Sequence, residues 1–377
     1  MLYKMNIGIL YENQDDRVVL TPADAKKLQD QGFSVSVEKN AGQSAFYPDA
    51  AYEEAGARIE DHAAVLSGAD LLVSLFPRED SEYAQLPDNA YIISSFQPFA
   101  DPEAYQRLAQ KQRTVFSLDL MPRTTQAQDK DVLSSQASVA GYQAVLEAAQ
   151  RLPRYFPMLS TAAGTVPPAR VLILGAGVAG LQAIATARRL GSQVEAFDVR
   201  KAAKEEVQSL GAKFIEVEGA QDDSAAGGYA VEQTEDFKQR QRELLAQRVG
   251  AADVVITTAL VRGRKAPELI TREMVESMKP GSVIVDLAAA AGGNCRLTEE
   301  YKTVNHQGVL IYGHSSLQAH VPQHASQLYG KNIVNFLSFL QLNAEGGWQP
   351  DFENPIVDGT CMVYAGEARH QEATVSS

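Results

Sequence analysis

The 377-residue sequence predicts an α/β protein made of two Rossmann-like, doubly wound parallel-sheet domains joined by long helices. Three observations carry that expectation. Short apolar runs alternate with helical segments along most of the chain, the pattern of strand–helix–strand units on a parallel sheet. Residues 170–200, RVLILGAGVAGLQAIATARRLGSQVEAFDVR, read as strand, glycine turn, helix and second strand. Between the two halves, VLSSQASVAGYQAVLEAAQRL at 132–152 reads as one long helix, which can leave one domain and begin the packing of the next.

In the first half the strand-like runs are NIGIL at 6–10, FSVSVE at 33–38, LLVSLF at 71–76, AYIISSF at 90–96 and TVFSL at 114–118. The helical runs between them are PADAKKLQDQG at 22–32 and DPEAYQRLAQKQ at 101–112, and this half has no glycine fingerprint. DLMPRTTQAQDKD at 119–131 is polar and unpatterned, a connecting loop by its composition. In the second half STAAGTVPPARV at 160–171 feeds the first strand, and further strands follow at KFIEVE 213–218, DVVITTAL 253–260, SVIVDLA 282–288 and VLIYGH 309–314. The glycine-rich, polar segment QDDSAAGGYAVEQTEDF at 221–237 reads as a mobile loop ahead of a charged helix near 235–248. SQLYGKNIVNFLSFLQL at 326–342 reads as an amphipathic helix that returns to the first domain, with a hairpin in the tail. The expected division is 1–131 with 320–377 as one domain and 132–319 as the other.

The unit at 170–200 carries the clearest chemistry. Val171 to Leu174 is apolar on both faces, as a covered central strand requires. Gly175 suits the tight turn, and Gly177 lets backbone approach a pyrophosphate at the start of the helix that Val178 and Ala179 open. Gly180 allows that helix to lie close to the strand. Asp198 ends the second strand about 20 residues on, where a carboxylate accepts from the ribose hydroxyls of NAD and repels the 2′-phosphate of NADP. Val199 and Arg200 follow it. Arg200 is a counter-signal, since an arginine there can hold that phosphate, but Asp198 lies nearer the strand tip and outweighs it.

Bulk properties exclude other classes. With 34 basic and 47 acidic residues the formal charge is −13, which disfavours nucleic acid and anionic membrane surfaces as direct partners. No apolar run approaches the roughly 20 residues of a membrane span, so no direct membrane insertion is expected. The start, MLYKMNIGILYENQ, reads as a first strand rather than a signal peptide. Cys295 and Cys361 have no metal-ligand spacing and suit reduced thiols in a cytoplasmic setting. His320 and His324 stand four apart, but Pro322 between them breaks a shared helical face, so no metal is expected.

Longer motifs add to these readings. RVVLTP at 17–22, MPRTTQAQDKDVLSSQASVAGYQAV at 121–145, TAAGTVPPARVLILGAGVAGLQAIATA at 161–187, GGYA at 227–230 and ITREMVESMKPGSVIVDLAAAAGGNC at 270–295 run nearly end to end. On them the chain resembles the soluble NAD(H)-binding alpha, or alpha-1, subunits of proton-translocating NAD(P) transhydrogenase, relatives of alanine dehydrogenase. The resemblance implies that Arg123, Gln128 and Asp131 form a loop over the nicotinamide end of the nucleotide, with Ser134 near the same ring. Gln128 would touch the nicotinamide ribose. Gly228 and Tyr229 would belong to a loop that closes on the nucleotide, and Ala259 would lie beside it. Gln126 departs from the family's usual arginine. Arg17 reads either as a substrate anchor or as a surface charge.

The implied activity is direct hydride transfer between NADH bound by this chain and NADP(H) on a partner subunit. Membrane-spanning subunits, a separate NADP(H)-binding domain and a homodimer are the implied partners, with the chain peripheral on the cytoplasmic face of the inner membrane. Two alternatives are an alanine dehydrogenase and a non-catalytic NADH sensor. Alanine dehydrogenase needs a lysine, a histidine and an aspartate where this chain has Ser74, Phe96 and Ala290, and deamination requires proton transfer that these side chains do not supply.

Overall fold

The computed structural model describes residues 5–109, 111–217, 235–261, 263–342 and 348–369. The chain folds into two compact units, Met1–Gln136 with Ala319–Ser377, and Ala137–Gln318.

In the first unit β1 (Asn6–Ile9), β2 (Ser34–Glu38), β3 (Arg58–Glu60), β4 (Leu71–Val73), β5 (Tyr91–Ser94) and β6 (Thr114–Ser117) pair in parallel in the order β6-β5-β4-β1-β2-β3. β1, β4 and β6 are buried along their whole length, as covered strands of a parallel sheet are. The helix Pro22–Asp30 starts on a capping box: Thr21 Oγ1 accepts from the Asp24 N–H, the Asp24 carboxylate accepts from the Thr21 N–H, and Pro22 occupies the first turn. Of the helix expected over 101–112, only Ala104–Leu108 is α-helical. The segment 119–131, expected as an unpatterned loop, holds most of a turn at Leu118–Leu120 and all of one at Thr125–Lys130. The long helix follows at Val132–Arg151.

In the second unit the long helix is followed by a hairpin, β7 (Leu159–Thr161) and β8 (Gly164–Val166), exposed throughout, where the sequence suggested only a connection. Its main sheet contains β9 (Arg170–Leu174), β10 (Gln193–Phe197), β11 (Lys213–Phe214), β12 (Val254–Thr257), β13 (Val283–Asp286), β14 (Thr303–His306) and β15 (Val309–Tyr312). The order is β11-β10-β9-β12-β13-β15-β14, parallel except for the edge strand β14. The chain moves outward from β9 to β11, then returns to β12 on the other side of β9. The switch point therefore falls at the carboxyl ends of β9 and β12, the place where doubly wound sheets form a binding crevice.

The chain then re-enters the first unit. The helix expected over 326–342 runs instead over Pro322–Leu337, starting where proline is favoured and ending before β16 (Leu340–Leu342). β16 pairs with β17 (Trp348–Pro350), setting Leu342 opposite Trp348. Trp348 is buried edge-on against Phe33 and Tyr91, with ring centroids 5.9 and 5.1 Å away. That packing draws the end of the apolar run into a strand. β18 (Cys361–Tyr364) lies antiparallel beside β6 and β19 (Glu367–Ala368) forms the edge, completing an eight-stranded sheet among the described residues. Among these residues no helix is long and apolar enough to cross a membrane.

In the second unit the helix Val178–Arg189 lies so close to the turn after β9 that a Cβ on Gly180 would fall 1.9 Å from the Gly175 carbonyl oxygen. That obstacle is backbone and cannot rotate away. Gly180→Ala is therefore expected to destabilise the protein by about 2–3 kcal/mol, measured as a lower urea midpoint at unchanged m-value. An unaltered midpoint would show that the helix has room to shift.

Candidate functional site

The turn after β9 forms a glycine cradle. Gly175 has φ +102°, a left-handed conformation, and a Cβ there would lie 2.5 Å from Thr258 Oγ1. Thr258 Oγ1 donates to the Gly175 carbonyl at 3.0 Å and so ties the tip of β12 to the turn. Gly177 is the N-cap of the helix, and a Cβ on it would meet nothing within 4 Å. No side chain caps that helix. Its leading N–H groups, from Val178, Ala179 and Gly180, have no intrahelical carbonyl partners, and together with the helix dipole they favour an anion in the open space before Gly177.

Asp198 stands just beyond the end of β10. Its Oδ2 accepts from the Ala176 N–H at 2.7 Å, and its Oδ1 accepts from the Arg200 N–H at 2.8 Å. The Arg200 guanidinium forks onto it, Nε to Oδ1 and Nη2 to Oδ2, both at 3.0 Å. Burial alone would raise the Asp198 pKa, but the donors from Arg200 and Ala176 and the Arg200 charge outweigh it and hold the carboxyl below the usual range. It is therefore a charged acceptor at neutral pH. The sequence set Asp198 and Arg200 against each other as opposing signals, whereas they form one ion pair.

Ala259, just past β12, is held by a side chain that sequence reasoning does not single out. Asn294 Oδ1 accepts from the Ala259 N–H at 3.0 Å, and its Nδ2 donates to the carbonyls of Ala259 and Pro267 at 2.9 and 2.8 Å. Asn294 is in turn placed by Asp286, which ends β13 and is fully buried. Asp286 accepts from Thr257 Oγ1, Thr298 Oγ1 and the N–H groups of Ala288, Asn294 and Cys295 at 2.6–3.0 Å. The signals in the sequence are an acid closing an apolar strand, VIVD, and an asparagine after two glycines. Val178, Val199, Leu260 and Val261 are exposed where the chain leaves β9, β10 and β12, giving this edge of the sheet an apolar rim.

Apart from Ala290 in the second unit, the remaining candidate site residues lie in the first unit or outside the described residues. Arg123, Gln126 and Gln128 are exposed on or beside the turn Thr125–Lys130. The base of that turn is fixed: Ala127 and Lys130 are buried, and Asn332 and Asn335 donate to the Asp129 carbonyl at 2.9 and 3.0 Å. Asp131 caps the long helix, its carboxylate accepting from the Leu133 and Ser134 N–H groups at 3.0 and 3.1 Å and from Ser134 Oγ at 2.6 Å. Arg17 is not a surface charge. It is buried, bonded through Nε and Nη2 to Asp15 at 2.8 Å each and through Nη1 to Gln136 at 2.7 Å. Ser74 and Phe96 are buried, whereas Ala290 is exposed. Gly228 and Tyr229 lie outside the described residues, and among those described no group of three or more His, Cys, Asp or Glu is placed to hold a metal.

The switch point and its cradle define a Rossmann-type nucleotide-binding protein. The family descriptions "Alanine dehydrogenase/PNT, N-terminal domain" and "Alanine dehydrogenase/PNT, C-terminal domain" match residues 8–140 and 144–371. An NAD(P) transhydrogenase subunit alpha polypeptide of Rhodospirillum rubrum is 44% identical over 380 residues, 98% of this chain and 99% of that protein. NAD(P) transhydrogenase subunit alpha of Haemophilus influenzae is 43% identical over 367 residues, 96% of this chain and 71% of that protein. The crystal structure of transhydrogenase from Sinorhizobium meliloti superposes with a TM-score of 0.87 at 43% identity, covering 96% of this chain and 99% of that one. The chain belongs to the alanine dehydrogenase/PNT family.

Asn294→Ala leaves the Ala259 N–H and the Ala259 and Pro267 carbonyls without their partner. The expected cost is about 2–4 kcal/mol in chemical denaturation, with faster hydrogen exchange at the Ala259 amide. Unchanged exchange there would mean that Asn294 does not hold the loop.

Proposed function

We propose that this chain is the NAD(H)-binding component of a proton-translocating NAD(P) transhydrogenase. The observation that carries the proposal is the cradle of Gly175, Gly177 and Gly180 with an uncapped helix start and an ionised Asp198 at the next strand tip. The open space before Gly177 fits a pyrophosphate, and the apolar rim suits the flat faces of a dinucleotide. When bound, the nucleotide supplies a hydride from C4 of its nicotinamide, NADH becoming NAD⁺ as NADP⁺ on a partner subunit becomes NADPH.

This chain's contribution is placement. The helix amides of Val178, Ala179 and Gly180 hold the pyrophosphate, Asp198 receives the adenosine ribose with Val199 and Arg200 beside it, and the loop of Ala259 flanks the cofactor, fixed from behind by Asn294. On the resemblance, Arg123, Gln128, Asp131 and Ser134 serve the nicotinamide end, and Gly228 and Tyr229 belong to a closing loop. Holding the donor ring in one geometry converts an encounter into a near-unimolecular step, so acceleration comes from proximity rather than from an acid or base on this chain. The NADP(H) site and the proton path belong to the separate domain and the membrane-spanning subunits, with this chain peripheral on the cytoplasmic face and homodimeric. Alanine deamination is disfavoured by Ser74, Phe96 and Ala290, which offer no proton-transfer group at neutral pH.

The test mixes the purified chain with a transhydrogenase NADP-binding domain, NADH and an NADP⁺ analogue. Hydride exchange is expected, and Gly177→Ala should cut NADH affinity about tenfold or more, roughly 1.4 kcal/mol, while leaving unfolding unchanged because its Cβ meets no atom. Tight NADH binding without exchange would favour a sensor, and turnover of alanine or pyruvate would overturn the proposal.

A further inference from the structure

The carboxylate expected to receive the ribose is already occupied. A carboxylate offers about four lone-pair positions. At Asp198 all four have protein donors: the Ala176 N–H, the Arg200 N–H, and Arg200 Nε and Nη2. A ribose diol cannot be added to this set; it must replace part of it. The two N–H donors are backbone, Ala176 lying inside the cradle turn between Gly175 and Gly177, so they do not leave without unmaking the site. The guanidinium is different. It sits on a flexible side chain about one third exposed, whereas the Asp198 side chain is 7% exposed.

We propose that Arg200 is a latch on Asp198, and that a dinucleotide binds by displacing its guanidinium from the carboxylate. This rests on NAD(H) binding at the cradle and adds a selectivity device to it. For NAD(H), the two ribose hydroxyls take over the positions vacated by Nε and Nη2, and breaking the ion pair subtracts from affinity. For NADP(H), the 2′-phosphate meets a guanidinium that can pass from one anion to another, so Arg200 softens the rejection imposed by Asp198. Arg200 thus acts in opposite directions on the two nucleotides. Asp198 sets the preference, and Arg200 limits how far it goes.

The experiment titrates the full chain with NADH and separately with NADPH, by isothermal calorimetry, for wild type, Arg200→Gln and Arg200→Lys. Arg200→Gln keeps the backbone donor to Asp198 but removes the charged fork. It should tighten NADH about three- to fivefold, the equivalent of a partly exposed ion pair, and weaken NADPH about tenfold, widening the ratio in both directions. Arg200→Lys keeps the cation without the planar fork, so NADH should tighten while NADPH stays near its wild-type affinity. Weaker NADH binding by Arg200→Gln, or parallel shifts for both nucleotides, would overturn the latch. Gly177→Ala separates the two ideas: if it leaves NADH affinity unchanged, the cradle reading itself fails, whatever Arg200 does.

Discussion

Backbone lying directly on backbone is the constraint on which the second unit depends. A Cβ on Gly180 would stand 1.9 Å from the Gly175 oxygen, and one on Gly141, in the long helix, 2.1 Å from the Ala179 oxygen. The start of the helix Val178–Arg189 is therefore pressed between the Gly175 turn on one side and the long helix on the other, with no side chain to cushion either contact. Such closeness stiffens the turn and leaves the helix start bare on its remaining side, in front of Gly177. An anion site follows from packing, because the same absence of side chains that permits the contact leaves N–H groups without partners.

Two carboxylates at strand tips of the same sheet, β10 and β13, perform different work. Asp286 has no exposure, and its five donors are three backbone N–H groups and two hydroxyls. No cation is among them, so its charge is spread over dipoles that also define the loop geometry through Asn294 and Ala259. Removing Asp286 would leave those donors buried and unpaired, a structural loss. Asp198 lies nearer the surface and has a guanidinium among its donors, which can be exchanged for another partner. The contrast separates the acid that builds the loop from the acid proposed to read a ligand.

Much of this is legible in the sequence. Runs such as 171–174 and 283–285 are apolar on both faces because helices cover both faces of a parallel sheet, and the cradle follows from glycine spacing. β14 and β18 are not legible in the same way. β14 has the half-exposed, polar sequence TVNH, and β18 depends on pairing with β6, more than 240 positions earlier. The run ending at 342 suits a helix or a strand, and its partner Trp348 decides between them. Asp131 reads as a ligand-facing loop residue, but it immediately precedes a helix, and capping uses the same carboxylate. Asn294 escapes a sequence reading because an asparagine among glycines looks like a turn residue, and its three bonds to Ala259 and Pro267 form only once the strand tips are adjacent.

If this chain holds NADH so that its hydride moves directly to NADP⁺ on a partner, the label on that hydride must never reach solvent. NADH doubly deuterated at C4 tests this most directly, mixed with this chain, an NADP-binding transhydrogenase domain and NADP⁺ in ordinary water, with the NADPH formed analysed by mass spectrometry. Every NADPH should carry one deuterium and the solvent none. Unlabelled NADPH, with deuterium released to water, would contradict direct transfer.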